Sequence, residues 1–264
     1  MGQATMEQLT AGHGALTAMR TGRGRDLVLF HALFADRTLF DPLLPLLADH
    51  FRVTLFNLPG FHDSEPAMLP LMDAYLARLE DGYQEFDIAP DAVLLGAGFG
   101  GLLALAFALD HPERVGKLIV SGTTARLSDD DRARLPQLAE AVAAAKVDPV
   151  ADQLAERLYS SSFRARGDVT ETCRRTLLAI DPKAMGAACK VLEEADLTPL
   201  LGRLEVPTLI VAGADDAMVP AAAQKALAGQ IAGGSYHAIN GSGHFPMLEQ
   251  PEAFRAVIAR FVGL

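Results

Sequence analysis

The chain has 264 residues, of which 50% are hydrophobic and 21% charged, and its formal net charge is −10. That length and balance suit one large α/β domain with a full core. The acidic surplus argues against nucleic acid and anionic membranes as partners, since both need a basic face, and no apolar run approaches the roughly 18–20 residues that span a bilayer.

Residues 13–20 alternate loosely, and Arg20 to Asp26 reads as a hairpin turn. Leu27-Val28-Leu29-Phe30 is a continuous apolar run, the pattern of a strand buried on both faces. Asp41-Pro42 is expected to open a short helix carrying Leu43, Leu44, Leu46 and Leu47. Val53 to Phe56 forms the next strand, and residues 70–86 have apolar positions at helical spacing. Ala92 to Leu95 leads into the turn Gly96-Ala97-Gly98-Phe99-Gly100-Gly101, and an apolar helix follows until Pro112. Lys117 to Val120 is another strand.

From about Ser128 to about Leu204 the pattern changes to Ala-rich helix, opened by Ser128 and three aspartates near the positive end of the helix dipole. Alternation resumes with a strand at Thr208–Val211, a helix over about 221–229, a short strand at Tyr236–Ile239 and a helix over about 251–262. Repeated βα units predict a mostly parallel sheet with helices on both faces. The expected division is a core of residues 1–127 and 205–264, with residues 128–204 inserted as a helical cap. Leu154, Leu158, Phe163 and Leu177 are expected to pack the cap's own interior.

Two cysteines, Cys173 and Cys189, fit no metal spacing and are expected to be reduced packing residues. No basic and apolar leader opens the chain, so a cytoplasmic location is expected. No metal cluster or phosphate cradle stands out, and no cofactor is expected. The near match of Gly96–Gly101 to a dinucleotide loop lacks the first strand and the acidic residue that such a loop requires.

Ligands of open parallel sheets bind beyond the carboxyl ends of the strands. The residues standing there are His31-Ala32-Leu33, Asn57 to Gly60, Gly98-Phe99, Asp215-Asp216 and Gly241 to Phe245. A histidine and an aspartate from separate loops at one rim form the working half of a hydrolytic triad.

Through these segments the chain resembles an α/β-hydrolase over nearly its whole length. The family's HG-type loop matches His31-Ala32-Leu33, its D-x-P-G-x-G-x-S segment matches Asn57 to Ser64, and its nucleophile elbow matches Gly96 to Gly101. Its G-x-x-D-x-x-x-P segment matches Gly213 to Pro220 and selects Asp216. Its G-x-G-H-x-x-x-x-E-x-P-E-x-F segment matches Gly241 to Phe254 and selects His244. Ala195 to Thr208 and the Glu249–Glu252 tail look most like small-molecule enol-lactone hydrolases. The resemblance implies an α/β-hydrolase fold, with His244 and Asp216 as the catalytic pair. It implies an oxyanion hole drawn from Phe99, Leu33 and Ala32, and a small-molecule substrate near His31, Phe34 and Phe245. His31 taken alone is expected chiefly to shape a loop, while His62 stands where it could reach a substrate. A homodimer is left open.

Three positions depart from the family. Gly98 stands where the nucleophilic serine belongs, Ala32 replaces a glycine, and Asn57 replaces an aspartate. The favoured expectation is that His244 and Asp216 activate a water that attacks an activated ester, lactone or enamine without a covalent serine intermediate. Three alternatives stand beside it: a cofactor-free lyase, isomerase or oxygenase using His244 as base, a non-catalytic ligand-binding relative, and an engineered Ser→Gly variant of a serine hydrolase.

Overall fold

The computed structural model describes residues 6–12 and 15–264. Eight strands form one sheet: β1 (Glu7–Ala11), β2 (Leu16–Gly22), β3 (Arg25–Phe30), β4 (Phe51–Asn57), β5 (Val93–Ala97), β6 (Lys117–Ser121), β7 (Thr208–Gly213) and β8 (Ser235–Ile239). Their order across the sheet is β1-β2-β4-β3-β5-β6-β7-β8. β1 and β2 run antiparallel at one edge, and the pairings from β4 to β8 are parallel. Helices cover both faces. The continuous apolar runs are the inner strands: all five residues of β5 and all six of β7 are buried.

The turn expected to make a hairpin does something else. β2 and β3 are not neighbours, because β4 lies between them. Gly22 (φ +77°) and Gly24 (φ +112°) let the chain cross over the start of β4, where a Cβ at either would fall 2.3 Å from the carbonyl oxygen of Phe51 or His50. The first part of residues 13–20 (His13 and Gly14) lies outside the described residues. The helix expected from Asp41-Pro42 is a 3-10 turn at Arg37–Phe40 followed by the single helical turn α1 (Leu44–Leu47), with Pro45 rather than Pro42 in its first turn.

Register places Asp26 of β3 beside Arg52 of β4. The buried Asp26 carboxylate accepts two guanidinium bonds from Arg52, at 2.6 and 2.8 Å, and the N–H of Ala89 at 2.8 Å. Asp26→Ala should therefore lower folding stability by about 2–3 kcal/mol, below the range for a fully buried pair because Arg52 keeps partial solvent access. Chemical denaturation measures this, and an unchanged midpoint would remove Asp26 from the folding determinants.

On the core, α2 (Met72–Glu85) buries Tyr75, Leu76, Leu79 and Tyr83, and α3 (Phe99–Asp110) is buried almost throughout, as a helix without a polar face must be. Five helices stand between β6 and β7: α4 (Asp129–Ala143), α5 (Asp148–Leu158), α6 (Ser161–Arg164), α7 (Val169–Ala179) and α8 (Pro182–Glu194). Ser128 caps α4 through the Asp131 N–H at 3.1 Å, and α4 packs on α8 while α5 packs on α7. The chain closes with α9 (Ala221–Gln230), α10 (Pro246–Glu249) and α11 (Pro251–Val262). Cys173 and Cys189 are free and buried, and burial pushes their thiols up to about 11 and about 12. Among the described residues no helix is long and apolar enough to cross a membrane.

Candidate active site

Strand β5 ends in a turn that the backbone itself closes. A Cβ on Gly96 would lie 2.3 Å from the Gly100 oxygen, and one on Gly100 would lie 2.4 Å from the His31 oxygen. The Gly100 N–H donates to that same His31 oxygen at 3.1 Å, and the Gly98 N–H donates to Ser121 O at 2.9 Å. Between these anchors Gly98 takes φ +53° and ψ −118°, a conformation that costs a side-chain-bearing residue about 1–3 kcal/mol. A Cβ there would point at His244, 3.3 Å from Nε2, and would sit 3.0 Å from the Ala32 Cβ.

His244 is buried, and its Nδ1 lies 3.0 Å from Asp216 Oδ2. Asp216 Oδ1 accepts the N–H groups of Met218 (2.8 Å) and Val219 (2.9 Å), and Oδ2 also accepts Gln224 Nε2 at 3.0 Å. A carboxylate holding these donors is acceptor-only, so Nδ1 carries the proton and Nε2 presents its lone pair toward Gly98. Gln224, wholly buried on α9, also donates to Val219 O and accepts the Gly122 N–H at 2.9 Å, tying the acid loop to the end of β6.

A cavity of about 320 Å³ opens on Nε2 and Gly98. Leu33, Phe34, Phe99 and Leu102 line it from one side of the chain's sheet layer, and Leu135, Leu138, Val150, Leu154 and Leu192 line it from α4, α5 and α8. Arg126, Asp131, Arg134, Gln137, Gln153 and Arg157 add polar groups to the wall. Phe99 is the first residue of α3, a position whose N–H has no acceptor within its own helix. Ala32 and Leu33 line the same cavity, the Ala32 Cβ lying 3.0 Å from where a Cβ on Gly98 would stand.

Arranged this way, a tautomer-fixed imidazole looks onto a turn of strand–elbow–helix form. A family model for the alpha/beta hydrolase fold matches residues 27–251. The chain belongs to the α/β-hydrolase fold family. Pimeloyl-[acyl-carrier protein] methyl ester esterase of Aeromonas hydrophila is 30% identical, over 94% of this chain and all of that one. The same-named enzyme of Neisseria meningitidis is 30% identical over 90% and 93%. A thermophilic esterase from Thermogutta terrifontis, solved with malate bound, superposes with a TM-score of 0.86 at 30% identity, covering 99% and 98% of the two chains. The enol-lactonase of Burkholderia xenovorans shares the fold at 22% identity, with a TM-score of 0.84 over 99% and 96%.

Within this hydrolase fold the structure brings His244, Asp216, Gly98, Ala32, Leu33, Phe34 and Phe99 to one place. Two residues expected against the substrate stand elsewhere. Phe245 is fully buried and packs edge-on against Tyr159, behind the imidazole rather than on the cavity wall. His31 is also outside the wall: the Leu58 N–H donates to its Nε2 at 3.1 Å and its Nδ1 donates to Ala32 O at 2.9 Å, so the ring braces two loops. His62 lies beside Asp36, with Nε2 3.7 Å from its carboxylate, and is likewise off the wall. Asn57 donates to Thr17 Oγ1 at 2.8 Å and is buried away from the cavity. Leu154, Leu158 and Leu177 are buried packing as expected, and Leu154 also lines the cavity.

Burial pushes His31 down to about 4, against 6.5 for the free side chain. The unfolded chain therefore binds this proton more readily than the folded one. The stabilising contribution is complete above pH 6.5 and is lost as pH falls toward 4, on the order of 3 kcal/mol in all. Urea unfolding at pH 7, 5.5 and 4.5 should show His31→Asn less stable at pH 7 yet with a flatter pH dependence than the parent. Parallel slopes would contradict the assignment.

Gln224 and the cap's polar wall had no legible signal in the sequence. A lone glutamine in an Ala-rich helix reads as a surface residue, and only the fold turns it inward.

Proposed function

We propose that the protein hydrolyses a small activated ester or lactone by direct attack of water, with His244 as general base and no covalent acyl-enzyme. The observation that carries this reading is the aim of Nε2: the imidazole, locked by Asp216, faces an elbow residue that has no hydroxyl to activate. A water seated against Gly98 could give its proton to Nε2 and attack a carbonyl carbon in the cavity. The Phe99 N–H and one from Ala32 or Leu33 would receive the developing oxyanion. The imidazolium would then protonate the leaving oxygen.

General-base catalysis supplies roughly 10²–10⁴-fold and each well-placed oxyanion donor roughly 10²–10³-fold. Those factors suit an ester, lactone or enamine with a good leaving group and fall short for an ordinary amide. The names of the 30%-identical relatives support an ester linkage. The enol-lactone-like motifs at Ala195–Thr208 and Glu249–Glu252 favour a small cyclic or enol ester within that class.

Turnover in oxygen-18 water tests the proposal. Direct hydrolysis puts one heavy oxygen into the acid product, and intact-mass spectra during turnover stay at the mass of the free protein. Product without heavy oxygen would mean lyase or isomerase chemistry. A mass increase equal to the acyl group would mean a nucleophile elsewhere in the site, and either result overturns the proposal.

A further inference from the structure

The loop that carries His244 is held from one side by Asp216 and from the other by the cap. The His244 N–H donates to Leu158 O, at the end of α5, at 2.7 Å. One residue earlier, the Gly243 N–H donates to Glu249 Oε1 at 2.9 Å. The other carboxylate oxygen of Glu249 accepts both the N–H (3.1 Å) and the hydroxyl (2.6 Å) of Ser160, two residues beyond Leu158. Glu249 is buried at 3% exposure, and the two segments it joins run so close that a Cβ on Gly243 would lie 2.5 Å from Leu158 O.

We propose that Glu249 is a positioning residue that rivets the cap joint Leu158–Ser160 to the histidine loop, so that the seating of the cap sets the placement of the His244 imidazole. No other side chain bonds to both segments among the described residues. A buried carboxylate with one oxygen on each strand of the joint fixes their separation, whereas a neutral amide would present a donor to at least one of these N–H groups. The same joint carries wall residues of α5, Leu154 and Arg157, and Arg157 reaches Met218 O on the acid loop at 3.4 Å. A molecule that fills the cavity against α5 thus presses on the element to which His244 is tied, which couples binding to the alignment of the base.

The inference rests on His244 being the base, and it is tested with a readout that does not need turnover. Protein labelled with nitrogen-15 in its histidines is compared as parent, Glu249→Ala, Glu249→Gln and Ser160→Ala, the His244 signals being assigned by their loss in His244→Gln. Both Glu249 variants should move the His244 imidazole resonances while those of the remote, exposed His237 stay in place, and Ser160→Ala should move them less. On an ester substrate kcat should fall about 10- to 100-fold in Glu249→Ala with KM changed less than about threefold, as expected for a misplaced base. Variants that melt earlier but keep the His244 resonances and kcat of the parent would overturn the proposal and make Glu249 a purely structural link. Shifted resonances in a protein that turns over no ester would keep the rivet and reject the hydrolase reading. Should Glu249→Ala fail to fold, Ser160→Ala and Glu249→Gln decide the matter by the same criteria.

Discussion

Turnover of an activated ester should fall roughly 10²–10⁴-fold in His244→Ala, the range of a general base removed from a site whose other parts remain. KM should change little, because the imidazole presents only one nitrogen to a cavity walled mainly by apolar side chains. The fold should survive the change. Asp216 keeps three donors, from Met218, Val219 and Gln224, so the buried carboxylate is not stranded. Circular dichroism and denaturation establish that the variant is folded before rates are compared. A folded His244→Ala protein with the parent's kcat would eliminate every mechanism in which this imidazole moves a proton, the lyase and isomerase alternatives included.

The second large effect is expected from putting a nucleophile back, and it depends on two positions together. Gly98→Ser alone places a Cβ 3.0 Å from the Ala32 methyl and 3.3 Å from Nε2, crowded on both sides. Overpacking of this kind costs about 1–3 kcal/mol and would push the elbow or the Ala32 loop off its geometry. Ala32→Gly with Gly98→Ser removes the first obstruction. The double variant should react stoichiometrically with a fluorophosphonate and show an acyl-enzyme burst with a p-nitrophenyl ester. The single Gly98→Ser variant should label at least 10-fold more slowly, a coupling of about 1.4 kcal/mol or more between neighbouring positions. Equal labelling of the single and double variants would uncouple the pair. It would also favour the alternative in which a serine hydrolase has had its nucleophile exchanged for glycine by design, since a native serine would have to fit beside Ala32.

The parallel core was legible because buried strands have nowhere to hide polar residues: Leu27–Phe30, Val93–Leu95, Leu118–Val120 and Leu209–Val211 each read as uninterrupted apolar runs. The loops that hold Asp216 and His244 were legible because each stands just beyond the carboxyl end of a strand, and the resemblance to the hydrolase family selected these two residues within them. What the sequence hid depends on contacts between distant segments. Nothing local distinguishes a hairpin at Gly22–Gly24 from a crossover, because the glycines allow both and the choice is made by β4, some thirty residues on. Leu154 and Leu158 lie on one apolar stripe of α5 and both are buried, yet only Leu154 lines the cavity. The resemblance placed His31 and Phe245 near the substrate, whereas His31 taken alone was expected to shape a loop, as its bonds to Leu58 and Ala32 do. Their side chains turn into the protein because a loop-bracing hydrogen bond and an aromatic contact hold them there.

The crowding of Gly96 and Gly100 against backbone carbonyls makes the elbow a feature of the main chain. Those contacts, with the bond from the Gly98 N–H to Ser121 O, hold the bend between β5 and α3 through the backbone rather than through any side chain at residue 98. A side chain at position 98 must still meet the positive φ and the Ala32 Cβ 3.0 Å away, so substitution there is filtered by fit as well as by chemistry. The bend stands without a side chain at position 98, and a side chain placed there needs room at position 32. Room for a nucleophile is thus set at positions 98 and 32, apart from the hydrogen bonds that aim His244.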